Sequence, residues 1–202
     1  MTVVKICGLT RPCDIESVNS LRPEMAGFVL HKPSRRYAGE TIHQLSGMLD
    51  PGIVPVGVFV DSPAEDILEL VESGAIGAVQ LHGSEDERFI RGLRRETDVP
   101  IIRAFIVGPG TDLEQIEGTD ADLVLLDAGM GSGTRFDWSL IADVGRDFVL
   151  SGGLSPENVA DAIRTVRPYG VDVSSGVESK GFKDPEKMAS FIGKVRMGDG
   201  EP

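Results

Sequence analysis

A cysteine and a lysine near the amino terminus have a spacing that suits acid–base chemistry. Lys5 and Cys7 stand two residues apart in an apolar run that starts at Val3, so in a strand both side chains point to the same face. A nearby ammonium group favours the thiolate form of a cysteine, which makes Cys7 a candidate base. The alternative is that Cys7 is a small buried apolar side chain. Cys13 lies in the following helical stretch, and we expect a structural role for it.

A candidate acid stands at the end of another apolar run. Asp127 directly follows Leu123–Leu126, and a carboxyl group at a buried strand end must be either paired or protonated. A protonated carboxyl group can act as a general acid. The alternative is an aspartate that caps the next loop.

Two further polar side chains are candidates for binding a ligand. Arg36 could hold a carboxylate through two parallel hydrogen bonds, or it could belong to a solvated basic surface with Lys32 and Arg35. His82 either contacts the ligand or hydrogen-bonds a neighbouring loop, and we favour the second of these roles.

Two glycine-containing segments follow the last two apolar runs and could bind phosphate. One contains Gly152 and Gly153, and the other contains Ser174, Ser175 and Gly176. Glycine lets backbone amides approach an anion closely, and barrel enzymes often bind phosphate at this place. Each segment alone would favour a mere tight turn, but the matching positions of the pair favour a phosphate site.

These candidates follow short apolar runs that alternate with longer amphipathic stretches. Continuous apolar runs suit strands buried on both faces of a parallel sheet. The predicted strands are Val3–Ile6, Met25–Leu30, Val54–Val60, Ala75–Leu81, Val99–Phe105, Asp122–Leu126, Asp147–Leu150 and Gly170–Val173. Eight strand–helix units favour a closed barrel. We therefore predict an α/β fold, a compact single-domain (β/α)8 TIM barrel with a parallel eight-stranded closed sheet over residues 1–202, with a frayed tail at 197–202.

Four helix starts are visible in the sequence. They are Ser62-Pro63, Ser84-Glu85, Ser155-Pro156 and Asp184-Pro185, which combine capping residues with proline or acidic residues in the first turn. Active sites of such barrels lie at the carboxyl ends of the strands. The candidate residues, and a glycine-rich loop at 129–134, should therefore meet at one rim.

Composition limits the partners and the compartment. The 32 acidic and 20 basic residues give a net charge of −12, which argues against nucleic acid or an anionic membrane as partner. There is no apolar stretch near the ~20 residues of a membrane span, no signal-peptide pattern and no disulfide framework or zinc motif. We expect a cytoplasmic protein. Because only six basic residues are lysine, we also hypothesise a cytoplasm of high salt, which screens acidic self-repulsion.

Nine segments of the chain, in order, resemble the phosphoribosylanthranilate isomerase family. They are Lys5–Arg11, Gly27–Val29, Ser34–Tyr37, Gly57–Val60, Gln80–Gly83, Leu126–Asp127, Gly131–Trp138, Ser151–Val159 and Asp172–Glu178. Each segment lies within or after a predicted strand, and the match runs from residue 3 to about residue 192.

The resemblance implies an intramolecular oxidoreductase of tryptophan biosynthesis that performs an Amadori rearrangement. N-(5-phosphoribosyl)anthranilate would become 1-(2-carboxyphenylamino)-1-deoxyribulose 5-phosphate. The family's general base falls on Cys7, its general acid on Asp127, and its carboxylate-binding arginine on Arg36, a better match than Arg35. Its phosphate-binding loops fall on the two glycine-containing segments described above. The resemblance implies no metal and no organic cofactor, and we expect a monomer or a homodimer with a phosphorylated small-molecule substrate.

Three other functions stay open at this point. The histidine-pathway isomerase performs the same rearrangement on a different aminoaldose, but its family leads us to expect an aspartate in place of Cys7. A catalytically silent barrel could bind a phosphorylated metabolite as a regulator, although it would not need both Cys7 and Asp127. A barrel whose rim residues are merely structural is the third.

Overall fold

Eight parallel strands close into a barrel in the computed structural model, which describes residues 1–127, 138–142 and 144–199. Each strand pairs with the next, and the eighth pairs with the first. The strands are β1 (Val3–Cys7), β2 (Met25–Val29), β3 (Val54–Phe59), β4 (Ala78–Leu81), β5 (Ile101–Ile106), β6 (Leu123–Asp127), β7 (Phe148–Ser151) and β8 (Gly170–Val173). All eight lie within or next to the apolar runs that predicted them, so the α/β barrel with a parallel closed sheet is confirmed.

The fourth strand is shorter than predicted. It begins at Ala78, because the amides of Ala75 and Ile76 donate to the carbonyl of Leu70 and so complete the turn after the preceding helix. The apolar character of Ala75 and Ile76 therefore reflects burial beneath that turn and not pairing in the sheet.

Seven α-helices in the described part of the chain surround the barrel. They are α1 (Pro12–Leu21), α2 (Ile42–Gly47), α3 (Ala64–Glu72), α4 (Glu87–Glu96), α5 (Leu113–Glu117), α6 (Val159–Val166) and α7 (Pro185–Gly198). Between β6 and β7, a 3-10 helix at Trp138–Ile141 stands where eight regular strand–helix units predict an α-helix. None of the helices in these ranges is long and apolar enough to cross a membrane.

One of the four predicted helix starts is confirmed and three lie too early in the chain. Asp184 caps α7 by accepting hydrogen bonds from the amides of Glu186 and Lys187. The caps of α3, α4 and α6 are Pro63, Asp86 and Asn158. Ser84, for example, stays outside α4 because its amide and hydroxyl both donate to Asp61.

The carboxyl-terminal helix is tied to the first strand. Both carboxylate oxygens of Asp199 accept hydrogen bonds from the amide of Thr2 at 2.9 Å, and Arg196 donates to the carbonyl of Thr2. α7 runs through Met197 to Gly198, so the tail that we expected to fray from residue 197 is helical and anchored there; 200–202 lie outside the described residues.

Strand side chains alternate between the barrel interior and the layer beneath the helices. Inside lies an apolar layer of Val56, Ala78, Ile102, Leu125 and Val149. Residues of opposite parity join the larger core that the helices cover, as the period of two in a strand requires. The interior of the barrel is therefore packed and serves as a floor.

Two residues beyond this floor, toward the carboxyl ends of the strands, the side chains that point into the barrel are polar. Gln80, Asp127 and Ser151 each stand two residues after a floor residue, and Lys5 and Asp172 are buried beside each other on the paired strands β1 and β8. The same alternation that packs the floor thus directs polar groups to the carboxyl-terminal rim.

The packed floor should contribute measurably to stability. Leu125→Ala should lower the free energy of unfolding by about 2–5 kcal/mol, because it opens a cavity in a fully buried layer. Urea denaturation of both proteins measures the difference. The control Met197→Ala removes an exposed side chain and should change stability by less than about 0.5 kcal/mol; equal effects of the two substitutions would contradict this assignment.

Candidate active site

A cavity of about 270 Å³ opens at the carboxyl-terminal rim of the barrel. It brings together all nine side chains and glycines that the sequence singled out: Cys7, Arg36, His82, Asp127, Gly152, Gly153, Ser174, Ser175 and Gly176. Val29, Val58 and Val60 supply apolar wall. The glycine-rich loop at 129–134 lies outside the described residues.

A buried ion pair forms the base of this cavity. Lys5 Nζ donates to Asp172 Oδ1 at 2.9 Å, and Ser151 Oγ lies 3.1 Å from Asp172 Oδ2. Lys5 is 1% exposed. Burial by itself would lower the pKa of Lys5, but the charge of Asp172 and contact with Cys7 outweigh burial and raise it to about 12. The lysine therefore remains an ammonium ion inside the barrel.

Cys7 is the last residue of β1 and faces the same side as Lys5, as its spacing predicts. Burial raises the pKa of the Cys7 thiol, and the charge of Asp172 adds to this rise. Lys5 and the more distant Lys183 act in the opposite direction without cancelling it. The expected effect of Lys5 on the pKa of Cys7 is thus present, but the opposing effect of burial is larger.

Asp127 ends β6 at the opposite wall, with 15% of its side chain exposed. His82 Nε2 lies 3.5 Å from Asp127 Oδ2, and Gln80 Nε2 lies 3.0 Å from His82 Nδ1. With Gln80 as donor, a neutral imidazole carries its proton on Nε2, which faces the carboxylate. His82 therefore lines the cavity and contacts the candidate acid, whereas we had favoured contact with a neighbouring loop.

The two arginines after β2 occupy different places. Arg36 lines the cavity, with 19% of its side chain exposed, and its Nε donates to Glu178 Oε1 at 2.7 Å. Arg35 is 53% exposed and donates to Glu178 Oε2 and to the carbonyl of Gly181. Arg35 therefore belongs to a solvated basic surface, whereas Arg36 lies where it can contact a ligand in the cavity.

Sequence reasoning missed a buried lysine in this cluster. Lys183 Nζ donates to the carbonyl of Ser174 at 2.8 Å and to Glu178 Oε1 at 3.0 Å. It reaches the site through a short antiparallel pair, β9 (Glu178–Ser179) and β10 (Phe182–Lys183). Burial opposes ionisation of Glu178, but hydrogen bonds from the arginines and the Lys183 charge outweigh it and lower the pKa of Glu178 to about 2.

The two candidate phosphate loops pack directly against each other. A Cβ on Gly176 would lie 1.9 Å from the carbonyl oxygen of Leu154, so only glycine allows this approach. Gly152 and Gly153 have φ angles of 88° and 66°, a region that L residues rarely adopt. Together the loops form one glycine-rich wall beside α6.

The arrangement suits proton transfer to and from two atoms of one anionic ligand. A thiol on β1 and a carboxyl group on β6 face a shared cavity, with Arg36 and the glycine-rich wall available for anions. Among the residues that the structure describes, no group of three or more His, Cys, Asp or Glu side chains could hold a metal ion.

Comparison with known proteins identifies the family. Residues 4–194 match the family model of N-(5'-phosphoribosyl)anthranilate (PRA) isomerase. The N-(5'-phosphoribosyl)anthranilate isomerase of Acetivibrio thermocellus is 44% identical, over 99% of this chain and 98% of its own length.

Solved structures of the same family share the fold. Phosphoribosyl anthranilate isomerase from Thermotoga maritima superposes with a TM-score of 0.88 at 39% identity, over 98% of this chain and 100% of that one. A structure of the isomerase with reduced 1-(o-carboxyphenylamino)-1-deoxyribulose 5-phosphate gives a TM-score of 0.85 at 38% identity, over the same shares of the two chains. The chain therefore belongs to the N-(5'-phosphoribosyl)anthranilate isomerase family.

Proposed function

We propose that this chain isomerises N-(5'-phosphoribosyl)anthranilate to 1-(o-carboxyphenylamino)-1-deoxyribulose 5-phosphate in tryptophan biosynthesis. The observation that carries the proposal is the thiol of Cys7 and the carboxyl group of Asp127 facing one cavity in a barrel of this family. The family match supports this reaction over the histidine-pathway rearrangement and over a silent binding protein.

The substrate carries an anion at each end, and the cavity offers a place for both. Its phosphate would lie against the wall formed by Gly152, Gly153 and the Ser174–Gly176 loop, where backbone amides can approach closely. Its anthranilate carboxylate would pair with Arg36. These two contacts hold the sugar between Cys7 and Asp127.

The first step opens the furanose ring. Protonated Asp127 donates its proton to the ring oxygen while the C1'–O bond breaks and its electron pair passes to that oxygen. The lone pair of the anthranilate nitrogen forms the C1'=N bond of an iminium ion. The Nε2–H of His82, which faces Asp127, stabilises the carboxylate that remains.

The second step removes a proton from C2'. The Cys7 thiolate takes this proton, the C–H electrons form the C1'=C2' bond, and the C=N electrons return to nitrogen. The resulting enolamine tautomerises to the ketone. The iminium ion is the electron sink, and its positive charge favours the thiolate as Lys5 does, against the desolvation that raises the pKa of Cys7.

Cys7→Ser and Asp127→Asn should each lower kcat by about 10²–10⁴-fold, the usual contribution of a general acid or base. Turnover of freshly generated phosphoribosylanthranilate, followed by loss of its fluorescence at low and multimolar salt, measures the effect. The matched control is Cys13→Ser, since Cys13 is exposed and free. No turnover by folded wild type at any salt would reject the function, and turnover kept in one variant would reject that residue's role.

The pH profile should report the environment of Cys7. Because burial holds its pKa above the ordinary value and the thiolate is the base, kcat/KM should rise with pH into the alkaline range. Lys5→Met removes the opposing charge and should move this rise to higher pH. Lys194→Met, on the exposed face of α7, should leave the profile unchanged. A profile that stays in place in folded Lys5→Met would contradict the assignment.

We also propose that the protein works in a cytoplasm of high salt. The net charge of −12 supports this, and α3 illustrates it: Glu65, Asp66, Glu69 and Glu72 are all exposed, within a helix that contains no basic residue. Glu69 and Glu72 also lie near the carboxyl end, where the helix dipole disfavours acidic side chains.

A Glu69→Gln/Glu72→Gln double variant should therefore raise the free energy of unfolding in dilute buffer by about 0.5 kcal/mol. The gain should shrink in multimolar KCl, because salt screens surface charges. Urea denaturation at both salt concentrations measures it. Wild type that is as stable in dilute buffer as in multimolar KCl would contradict the high-salt hypothesis.

A further inference from the structure

Glu178 is placed to do more than neutralise charge at the cavity. Its side chain is 7% exposed and accepts hydrogen bonds from Arg35, Arg36 and Lys183. Its Oε1 accepts hydrogen bonds from Arg36 Nε at 2.7 Å and from Lys183 Nζ at 3.0 Å, and its Oε2 accepts one from Arg35. The carboxylate is therefore held by groups on two separate segments, the loop after β2 and the short strand β10.

The contact with Arg36 uses one particular edge of the guanidinium. A guanidinium can bind a carboxylate side-on, through Nε and one terminal nitrogen, or end-on, through both terminal nitrogens. Glu178 occupies Nε, which blocks the side-on geometry. Among the residues that the structure describes, neither terminal nitrogen has a hydrogen-bond partner, which leaves both for a ligand in the cavity that Arg36 lines.

The stem of Arg36 is also held in place. A Cβ on Gly8 would lie 2.4 Å from Arg36 Cδ, so the arginine crosses directly over the end of β1. Gly8 has a φ angle of 81°, which suits glycine. Stem and Nε are thus fixed at two points before any ligand binds, a form of preorganisation.

We propose that Glu178 is a positioning residue for Arg36, which it orients so that the substrate carboxylate is bound end-on by the two terminal nitrogens. This inference rests on the proposed function, because it takes Arg36 as the carboxylate-binding residue. Lys183 serves the same arrangement by fixing Glu178 Oε1 to the Ser174 loop. The glycine-rich wall and the carboxylate-binding arginine are thereby held at fixed positions relative to each other.

The test compares two ligands that differ by the carboxylate alone. One is reduced 1-(o-carboxyphenylamino)-1-deoxyribulose 5-phosphate, and the other is the same compound with an unsubstituted phenyl ring. In Glu178→Ala, affinity for the carboxylated ligand should fall by about tenfold to hundredfold, the loss expected when a charged hydrogen bond is no longer well oriented. Affinity for the unsubstituted ligand should change by less than about twofold, and KM should rise more than kcat falls.

Two further variants separate positioning from a general structural role. Arg35→Ala removes another partner of the same carboxylate but leaves the Arg36–Glu178 contact, so its ligand affinities should resemble those of wild type. Glu178→Gln keeps an oxygen that can accept from Nε and should recover most of the affinity that Glu178→Ala loses; it also serves if the alanine variant does not fold.

Two outcomes would overturn the inference. One is equal loss of affinity for both ligands in folded Glu178→Ala and Glu178→Gln, which would indicate a structural role. The other is an Arg35→Ala variant as impaired as Glu178→Ala, which would indicate a charge effect without orientation. Turnover by the wild type is measured first, so that failure of this inference can be distinguished from failure of the proposed function. If the wild type is active and either outcome is observed, only the positioning role of Glu178 is rejected.

Discussion

The buried ion pair between Lys5 and Asp172 is the interaction on which the rest of the site depends. It joins β1 to β8, where the sheet closes, and the two residues are direct partners in the register of those strands. Removing either charge would leave the other unpaired in the barrel interior, which is strongly unfavourable. The pair therefore couples closure of the barrel to the position of Cys7, which follows Lys5 on the same inward face, and of Ser151, which contacts Asp172.

The buried ion pair also makes the surroundings of Cys7 on β1 different from those of Asp127 on β6. On β1, burial makes the thiol reluctant to ionise, while Lys5 limits the size of that effect. On β6, Asp127 is more open to the cavity and is contacted by His82. The two groups therefore differ in their surroundings, because one strand end lies against the buried ion pair and the other lies at the cavity opening.

Most of the scaffold could be predicted from the sequence because both faces of the strands are buried, which leaves continuous apolar runs. Cys7 and Asp127 were found as the polar ends of such runs. Lys183 was missed because a short antiparallel pair returns it to the rim, and strand periodicity contains no sign of this. The contact of Glu178 with Arg36 joins residues 142 positions apart, and the dominance of burial over Lys5 at Cys7 depends on packing, which spacing does not reveal.

The distribution of charge makes the acidic composition compatible with a ligand that carries two anionic groups. Although the net charge is −12, ion pairs at the rim set Lys5 against Asp172, and Arg36 and Lys183 against Glu178. Arg36 therefore presents a cationic group in a cleft with apolar walls, where electrostatic interactions are weakly screened. High salt would weaken the repulsion between exposed carboxylates much more than attraction inside the cleft. An acidic surface and an anion-binding site can therefore coexist in one small barrel.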